Sequence, residues 1–503
     1  MPSTRILMRA GRPPHDITSN EAAFAWRGSG HFGSNTGNML FSDAVYQALN
    51  TPGTDITCDA YAPEWRTFTP DDAAYVNDNF DKYVIPLANA FRPGFAGAPL
   101  ERLTALIRRL TIPVVVVGVG GQGPLSDHRS ALSDDERRNT IDFVSAVLDH
   151  SSSIGVRGEL TKAMLREMGF SDSDVDVIGC PSMFRTSRDF RVERKIPLLT
   201  RTAALATSLE AQRAHIGDLY SRNAREYEDL VAVYQTLAGG ELILWGKHAD
   251  ALPAGTPRSI SDAAYREGRM RFFTNSRTWL DFMRTRDFSF GVRIHGTVAA
   301  IAAGTPGFIL TIDSRTQELA EYHAIPNMPL VEAAASDRLL ARDLYDETDF
   351  ESVNRAMPEN WDRYFAFLER NGLEHIHQPG KDNPAYAQSI EDAPMPAGAA
   401  PLSTADPEVL AARIRWLWQD RTADHHRPTT GYRPSFELDH TSVTSAASLS
   451  KALRRELAKT QERLGALEAR AERAERAAAA QPSQRARRAY RRLKSRLARL
   501  GRR

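Results

Sequence analysis

The segment from Phe290 to Asp313, FGVRIHGTVAAIAAGTPGFILTID, concentrates the residues best suited to chemistry. It reads as a strand, a short Ala-rich helix and a second strand. Arg293 and His295 stand two apart on the expected strand, which directs both to one side. They sit at its carboxyl end, where open α/β sheets bind ligands. Gly296 and Thr297 then open a helix, whose free N–H groups and partial positive charge attract an anion. A cation, an imidazole and a helix start in sequence make a site for a carboxylate or a phosphate. Arg157 repeats the arrangement, after Ser-Ile-Gly-Val and before a helix expected over 159–168. Lys247 and His248 follow ELILWG, read as another strand, and supply a third candidate pair.

Two glycine-rich loops accompany these cations. Gly118-Val-Gly120-Gly121-Gln-Gly123 follows a valine run and formally matches GxGxxG. Pro124 and a polar stretch delay the next helix to about Ser133, so no helix start meets a pyrophosphate and the reading is not NAD or FAD. The glycines still allow close backbone approach to a ligand. The loop over 28–38, GSGHFGSNTGN, leads into a helix and places Asn38 toward the same cleft. No Gx4GK[ST], HExxH or GxSxG occurs, which removes the NTPase, zinc protease and serine hydrolase readings. Cys58 and Cys180 stand far apart and suggest neither a disulfide framework nor a cysteine-based metal site.

Elements that would position these residues follow from the pattern of apolar runs. Strands are expected over 6–9, 113–118, 153–157, 175–179, 203–208, 241–245, 288–295 and 308–313, with helices between them, which is the alternation of an α/β fold with parallel sheets. Ser133-Asp-Asp-Glu136 is a capping box opening a helix to about His150. The aromatic-rich stretch NWDRYFAFLER over 360–370 reads as a helix closing the second half. The expected organisation is an N-terminal α/β domain over 1–190, a second over 191–377, a linker with a short helix over 378–444, and a tail over 445–503.

At 503 residues the chain exceeds one domain of about 100–200 residues, and 42% hydrophobic with 25% charged residues fits a globular protein. Its net charge of +1 hides an asymmetry. From Ser445 onward there are 18 Lys and Arg against 5 Glu, so a tail of +13 leaves −12 for the first 444 residues. Ser450, Leu453, Leu457, Thr460, Leu464, Leu467, Ala471 and Ala474 recur at three- and four-residue intervals, the seam of a coiled coil that would form a homo-oligomer. Beyond Pro482 ten basic residues and no acidic one, with Tyr490, Leu493, Leu497 and Leu500 on one face, suit an anionic membrane surface. No recognised nucleic-acid motif accompanies them. No apolar run is long enough for a membrane span, and the start lacks a signal-peptide core, so the expected location is cytoplasmic, with the tail at the inner face of the membrane.

In order and spacing, Asn35-Thr-Gly37-Asn38, VVVVGVGGQGP, IGVRGELTKAMLREMG, VIGCPSMF and RIHGTVAAIAAGTPGFILTIDSR resemble the polysaccharide pyruvyl transferase family over about residues 30–330. The resemblance implies two Rossmann-like domains facing a cleft, the GT-B-like arrangement, and transfer of pyruvate from phosphoenolpyruvate onto hydroxyls of a saccharide as a ketal. Phosphoenolpyruvate is then the donor substrate, with no cofactor and no metal. The family's Arg-x-His motif falls on Arg293 and His295, and its Val-Arg motif on Arg157. Two positions depart: Gly37-Asn38 stands where Gly-Asp is usual, and Arg315 where Lys is common. Chemically, His295 suits the acid that protonates the enol methylene, and Arg293 and Arg157 suit the donor's carboxylate and phosphate. Gly296, Thr297, Asn38, Gly120 and Gly121 complete the expected donor site, and Lys247, His248, Asp313 and Arg315 are auxiliary or acceptor candidates. Two other readings share these features: a GT-B glycosyltransferase using a nucleotide sugar, and a non-catalytic glycan-binding scaffold.

Overall fold

In the computed structural model the described residues are 3–25, 32–33, 35–125, 132–346 and 348–422, with side chains omitted at 25 and 416–422. All belong to one compact unit spanning residues 1–437. The coiled-coil and basic-tail expectations over 445–503 lie outside the described residues.

Strands β1 (Thr4–Met8), β2 (Thr54–Cys58), β3 (Lys82–Pro86) and β4 (Val114–Val117) form a parallel sheet in the order β2-β1-β3-β4. The four valines of β4 are fully buried, as expected for a parallel strand covered on both faces. Val119 continues the sheet by bridging Val156, so β5 (Ile154–Val156) and its partner β6 (Val175–Val177) extend it beyond β4. A second parallel sheet runs β12-β11-β10-β7-β8-β9, from β7 (Leu205–Ser208), β8 (Leu230–Tyr234), β9 (Met270–Phe272), β10 (Phe288–Gly291), β11 (Gly307–Thr311) and β12 (Asn327–Pro329). Read from β9, that is the doubly wound order 3-2-1-4-5-6, with its switch point between β7 and β10. In the first sheet the order reverses between β1 and β3. These two switch points decide where a ligand can enter.

The α/β expectation with parallel sheets therefore holds, and three local readings change. The run over 241–245 is not a strand but the end of the helix Leu237–Trp245. Apolar runs of this length do not distinguish strand from buried helix. Here the Thr236 hydroxyl caps the helix, and the Glu210 carboxylate accepts from the Gln235 and Thr236 N–H groups. Gly240 lets the helix pack close, since a Cβ there would lie 2.4 Å from the Phe24 ring. Secondly, β10 stops at Gly291, whose φ is +157° and whose absent Cβ would fall 2.4 Å from the Ser208 carbonyl oxygen. The chain leaves the sheet there, and the helix Ile294–Ala302 begins three residues on.

The third change concerns residues 378–407, read as a linker. They carry the helix Pro384–Asp392 and return across the body, where Ala399 pairs antiparallel with Phe272. The following helix Pro407–Thr422 is tied down by Arg413, whose Nε donates to Glu21 at 3.0 Å with both side chains buried, and whose Nη1 donates to the Ala400 carbonyl. Removing one partner of a buried ion pair strands the other's charge, a loss of about 3–5 kcal/mol. Arg413→Ala is expected to lower the urea midpoint of the full chain accordingly, and an unchanged midpoint would show that the strap contributes nothing to stability. Among the described residues no helix is long and apolar enough to cross a membrane.

Candidate functional site

Both switch points open into one cleft of about 460 Å³. The first sheet sends in Arg9 after β1, Leu87 and Asn89 after β3, Gln122 after β4 and Arg157 after β5. From the second come Gln235 after β8, Arg293 and His295 after β10, and Arg315 after β11. Each stands beyond the carboxyl end of its strand, where the backbone turns into a helix or loop and side chains are free to converge. A second cavity of about 280 Å³, between Phe184, Arg185 and the helix Pro384–Asp392, holds none of the residues expected from the sequence to carry chemistry.

Arg293 and His295 meet in the cleft by a route other than strand alternation. Arg293 is the N-cap of the helix Ile294–Ala302, and His295 is that helix's second residue. The imidazole is buried against Gly37 at the start of the helix Thr36–Leu49; a Cβ on Gly37 would sit 2.5 Å from His295 Nδ1. The Phe41 ring meets it edge-on at 6.4 Å, and His295 Nε2 is buried without a partner. Gly296 serves a different close approach, with its absent Cβ 2.6 Å from Ser208 Oγ. Thr297 turns to the sheet, donating to the Phe308 carbonyl at 3.5 Å, and does not line the cleft.

Arg157 is 1% exposed, and its stem lies on Gly120, whose Cβ would fall 2.2 Å from Arg157 Nε. Its Nε and Nη1 have no partner among the described residues. The nearest compensating charge is Glu318, whose carboxylate is already held by the Thr161 N–H at 2.6 Å and hydroxyl at 3.0 Å. Arg315 reaches Asp313 at 3.3 Å and leaves its Nε buried and unpartnered. Asp313 also caps the helix Ser314–Tyr322 and accepts from Gln122 at 3.1 Å. Asn38 lines the cleft with its amide 3.5 Å from the Phe32 carbonyl oxygen. Gly121 donates its N–H to Thr161 Oγ1 beside the cleft rather than in it.

The structure does not bring Lys247 and His248 to this site. They follow a helix, not a strand end, and are exposed, with Lys247 on Glu241 at 2.6 Å and His248 on Asp250 at 3.1 Å. Sequence reasoning missed Arg9, although a cation ending a strand was the signal that found Arg157. Nothing in the sequence marked Tyr61, Glu64, Trp65 or Arg92, which also line the cleft.

Electrostatically the cleft is an anion trap. Burial pushes Arg157 down to about 10, against the opposing pull of Glu318. Arg293 is likewise lowered by burial, with Glu210 opposing. His295 is held well below the ordinary imidazole value, first by burial and then by Arg157, Arg315 and Arg293. Burial opposes the ionisation of Asp313, but Arg315 and the Thr316 N–H hold it below its ordinary value. The cleft thus keeps His295 neutral and offers N–H groups that lack an acceptor among the described residues. Arg157 precedes the helix Glu159–Glu167, Arg293 caps one helix, and Arg315 opens another, so positive helix ends add to the guanidinium charges. An anion with several acceptor oxygens satisfies all of these groups at once. Among the described residues no three His, Cys, Asp or Glu side chains gather to hold a metal ion.

The profile of the polysaccharide pyruvyl transferase family matches residues 35–314, which include Asn38, Arg157, Arg293 and His295. No curated protein matches the chain. Among solved structures the chain is similar to MnaA of S. aureus in complex with UDP, at 12% identity over 78% of this chain and 100% of that one, with a TM-score of 0.39. It is similar also to the UDP-GlcNAc 2-epimerase of Methanocaldococcus jannaschii, at 11% identity over 71% and 98% of the two chains, with a TM-score of 0.37.

Proposed function

The chain belongs to the polysaccharide pyruvyl transferase family, and from that membership we propose that the cleft binds phosphoenolpyruvate and transfers its pyruvyl group to two hydroxyls of a saccharide. The observation that supports this reading most is the set of unpartnered, buried guanidinium nitrogens of Arg157 and Arg315 around the neutral imidazole of His295. Phosphoenolpyruvate carries a phosphate and a carboxylate on the same carbon, and Arg forks take such groups two oxygens at a time.

The reaction balances without any further reagent. A proton adds to the donor's methylene carbon to give a methyl group, and positive charge develops on the central carbon. One saccharide hydroxyl oxygen bonds to that carbon and gives up its proton. The C–O bond to phosphate breaks, phosphate leaves, and a second hydroxyl oxygen closes the ketal with loss of its own proton. One of the two hydroxyl protons replaces the one placed on carbon, and the other departs with phosphate. In this scheme Arg157, Arg293 and Arg315 hold the donor and the leaving phosphate. His295 delivers the proton. It is not charged in the empty cleft; a phosphate among the three arginines offsets their field and raises its proton affinity. Gly37 and Gly120 shape the site by leaving room for His295 and Arg157.

Calorimetric titration tests the donor. Phosphoenolpyruvate is expected to bind saturably at one site per chain, while UDP-sugars give no saturable heat. Saturable UDP-sugar binding with silence toward phosphoenolpyruvate would replace this reading with a nucleotide-sugar glycosyltransferase.

A further inference from the structure

One stretch of the cleft lining is built differently, and from its chemistry we infer that the segment from Asp59 to Trp65 is the platform for the saccharide ring, with Trp65 stacking on its C–H face and Glu64 and Asn89 accepting from its hydroxyls. This rests on the reading of the cleft as a pyruvyl transfer site.

Arg157 and Arg315 offer donors without acceptors among the described residues, which is what an anion needs. Acceptors line the cleft as well, beside the cations Arg9 and Arg92: Asn89 gives its amide N–H to Gln122 at 2.7 Å and is left with Oδ1 buried and unpartnered among the described residues. The Glu64 carboxylate, paired with Arg9, is also part of the lining. Carbonyl and carboxylate oxygens repel phosphate and suit hydroxyl groups. Trp65 completes the set, lining the cleft with 54% of its surface exposed. A large aromatic face kept in water beside hydroxyl acceptors matches a pyranose, which has apolar C–H faces and a polar rim.

The segment is held in this pose at a cost. Ala60 and Tyr61 both have left-handed backbone, at φ 53° and 57°, which non-glycine residues adopt under strain. Their conformation is imposed by the buried Asp59, which accepts from the Tyr61 and Ala10 N–H groups at 2.9 and 3.3 Å and from the Tyr83 hydroxyl at 2.7 Å. Arg9 lies over the Tyr61 ring at 4.8 Å. Beyond Trp65, Arg66 grips the buried Asp72 through both carboxylate oxygens at 2.8 and 2.7 Å. Both ends of a four-residue helix are thereby clamped so that an exposed indole faces the cleft. Core packing alone gives no reason for that exposure.

Saturation-transfer NMR with the methyl glycosides of glucose, galactose, mannose and N-acetylglucosamine, at millimolar concentration on the full chain, tests the platform. At least one glycoside is expected to take up saturation, strongest at the protons of one ring face. Trp65→Ala is expected to weaken that binding by about tenfold, the worth of one aromatic face, and Trp65→Phe to restore most of it. Phosphoenolpyruvate affinity, read by calorimetry on the same variants, is expected to stay unchanged. No saturation of any glycoside, saturation indifferent to Trp65→Ala, or loss of donor binding together with glycoside binding would each overturn the inference. Failure of the wild-type protein to bind phosphoenolpyruvate would instead overturn the donor reading, and the glycoside signal separates the two results.

Discussion

Arg157→Met is expected to weaken phosphoenolpyruvate binding by at least about a hundredfold, since two hydrogen bonds from a charged donor are worth roughly 1.5–3 kcal/mol each. The side chain is buried, two of its nitrogens face no acceptor, and its stem occupies a slot that exists because residue 120 is glycine. Arg157→Lys is expected to fail as well, because an ammonium cannot present two parallel N–H groups. Gly120→Ala provides an independent probe of the same geometry. Its methyl would stand 2.2 Å from Arg157 Nε and push the guanidinium from its slot, so it should weaken the donor without altering any charge. Calorimetry on the three variants, with thermal melts to verify folding, is the check. Donor affinity within threefold of wild type in folded Arg157→Met would remove this residue from the donor site.

His295→Gln is expected to lower phosphate release from phosphoenolpyruvate in the presence of acceptor by about 10²- to 10⁴-fold, the usual contribution of a positioned acid, while donor affinity changes little. A second readout distinguishes proton transfer from simple packing. The proton affinity of His295 lies well below its ordinary value in the empty cleft, through burial and the three arginines. A bound phosphate raises it, so donor binding takes up a proton, and donor affinity declines as pH rises through the imidazole's value in the complex. Titrations near neutral pH in buffers of different ionisation heat should show net proton uptake by the wild-type protein and none by His295→Gln. Equal uptake by both would place the proton on the donor rather than on the imidazole.

Legibility differed from element to element. The Ser133 capping box was readable because its signal is local: the hydroxyl and the Glu136 carboxylate satisfy N–H groups three residues apart. The buried valine run of β4 was equally plain. The run over 241–245 was misread because five apolar residues look alike in a strand and in a helix buried on several sides; Gly239 and Gly240, which admit Tyr234, Phe24 and Phe272, reveal their purpose only once those rings are in place. The stretch over 378–407 has no periodicity to read, since it is held by partners far away in the chain, Ala399 pairing with Phe272 and the Asn383 side-chain amide donating to the Asn50 carbonyl.

The site divides in the same way. Arg157, Arg293, His295 and Arg315 could be named from sequence because each is a charged or titratable residue at the junction of a strand and a helix, and the parallel α/β pattern alone sends such junctions to one edge of a sheet. That edge, and its cationic character, the amino-acid sequence determined by itself. Only the tertiary structure decided that the two switch points face each other, that β10 ends two residues before Arg293, and that Gly37 from the first half meets His295 from the second. It alone decided that Trp65, Glu64 and Asn89 line the same cleft. The physical reason is that an anion site announces itself through charge and helix starts close in sequence, whereas a surface for a neutral ring is made by aromatic faces and lone acceptors that acquire meaning only from what lies across the cleft.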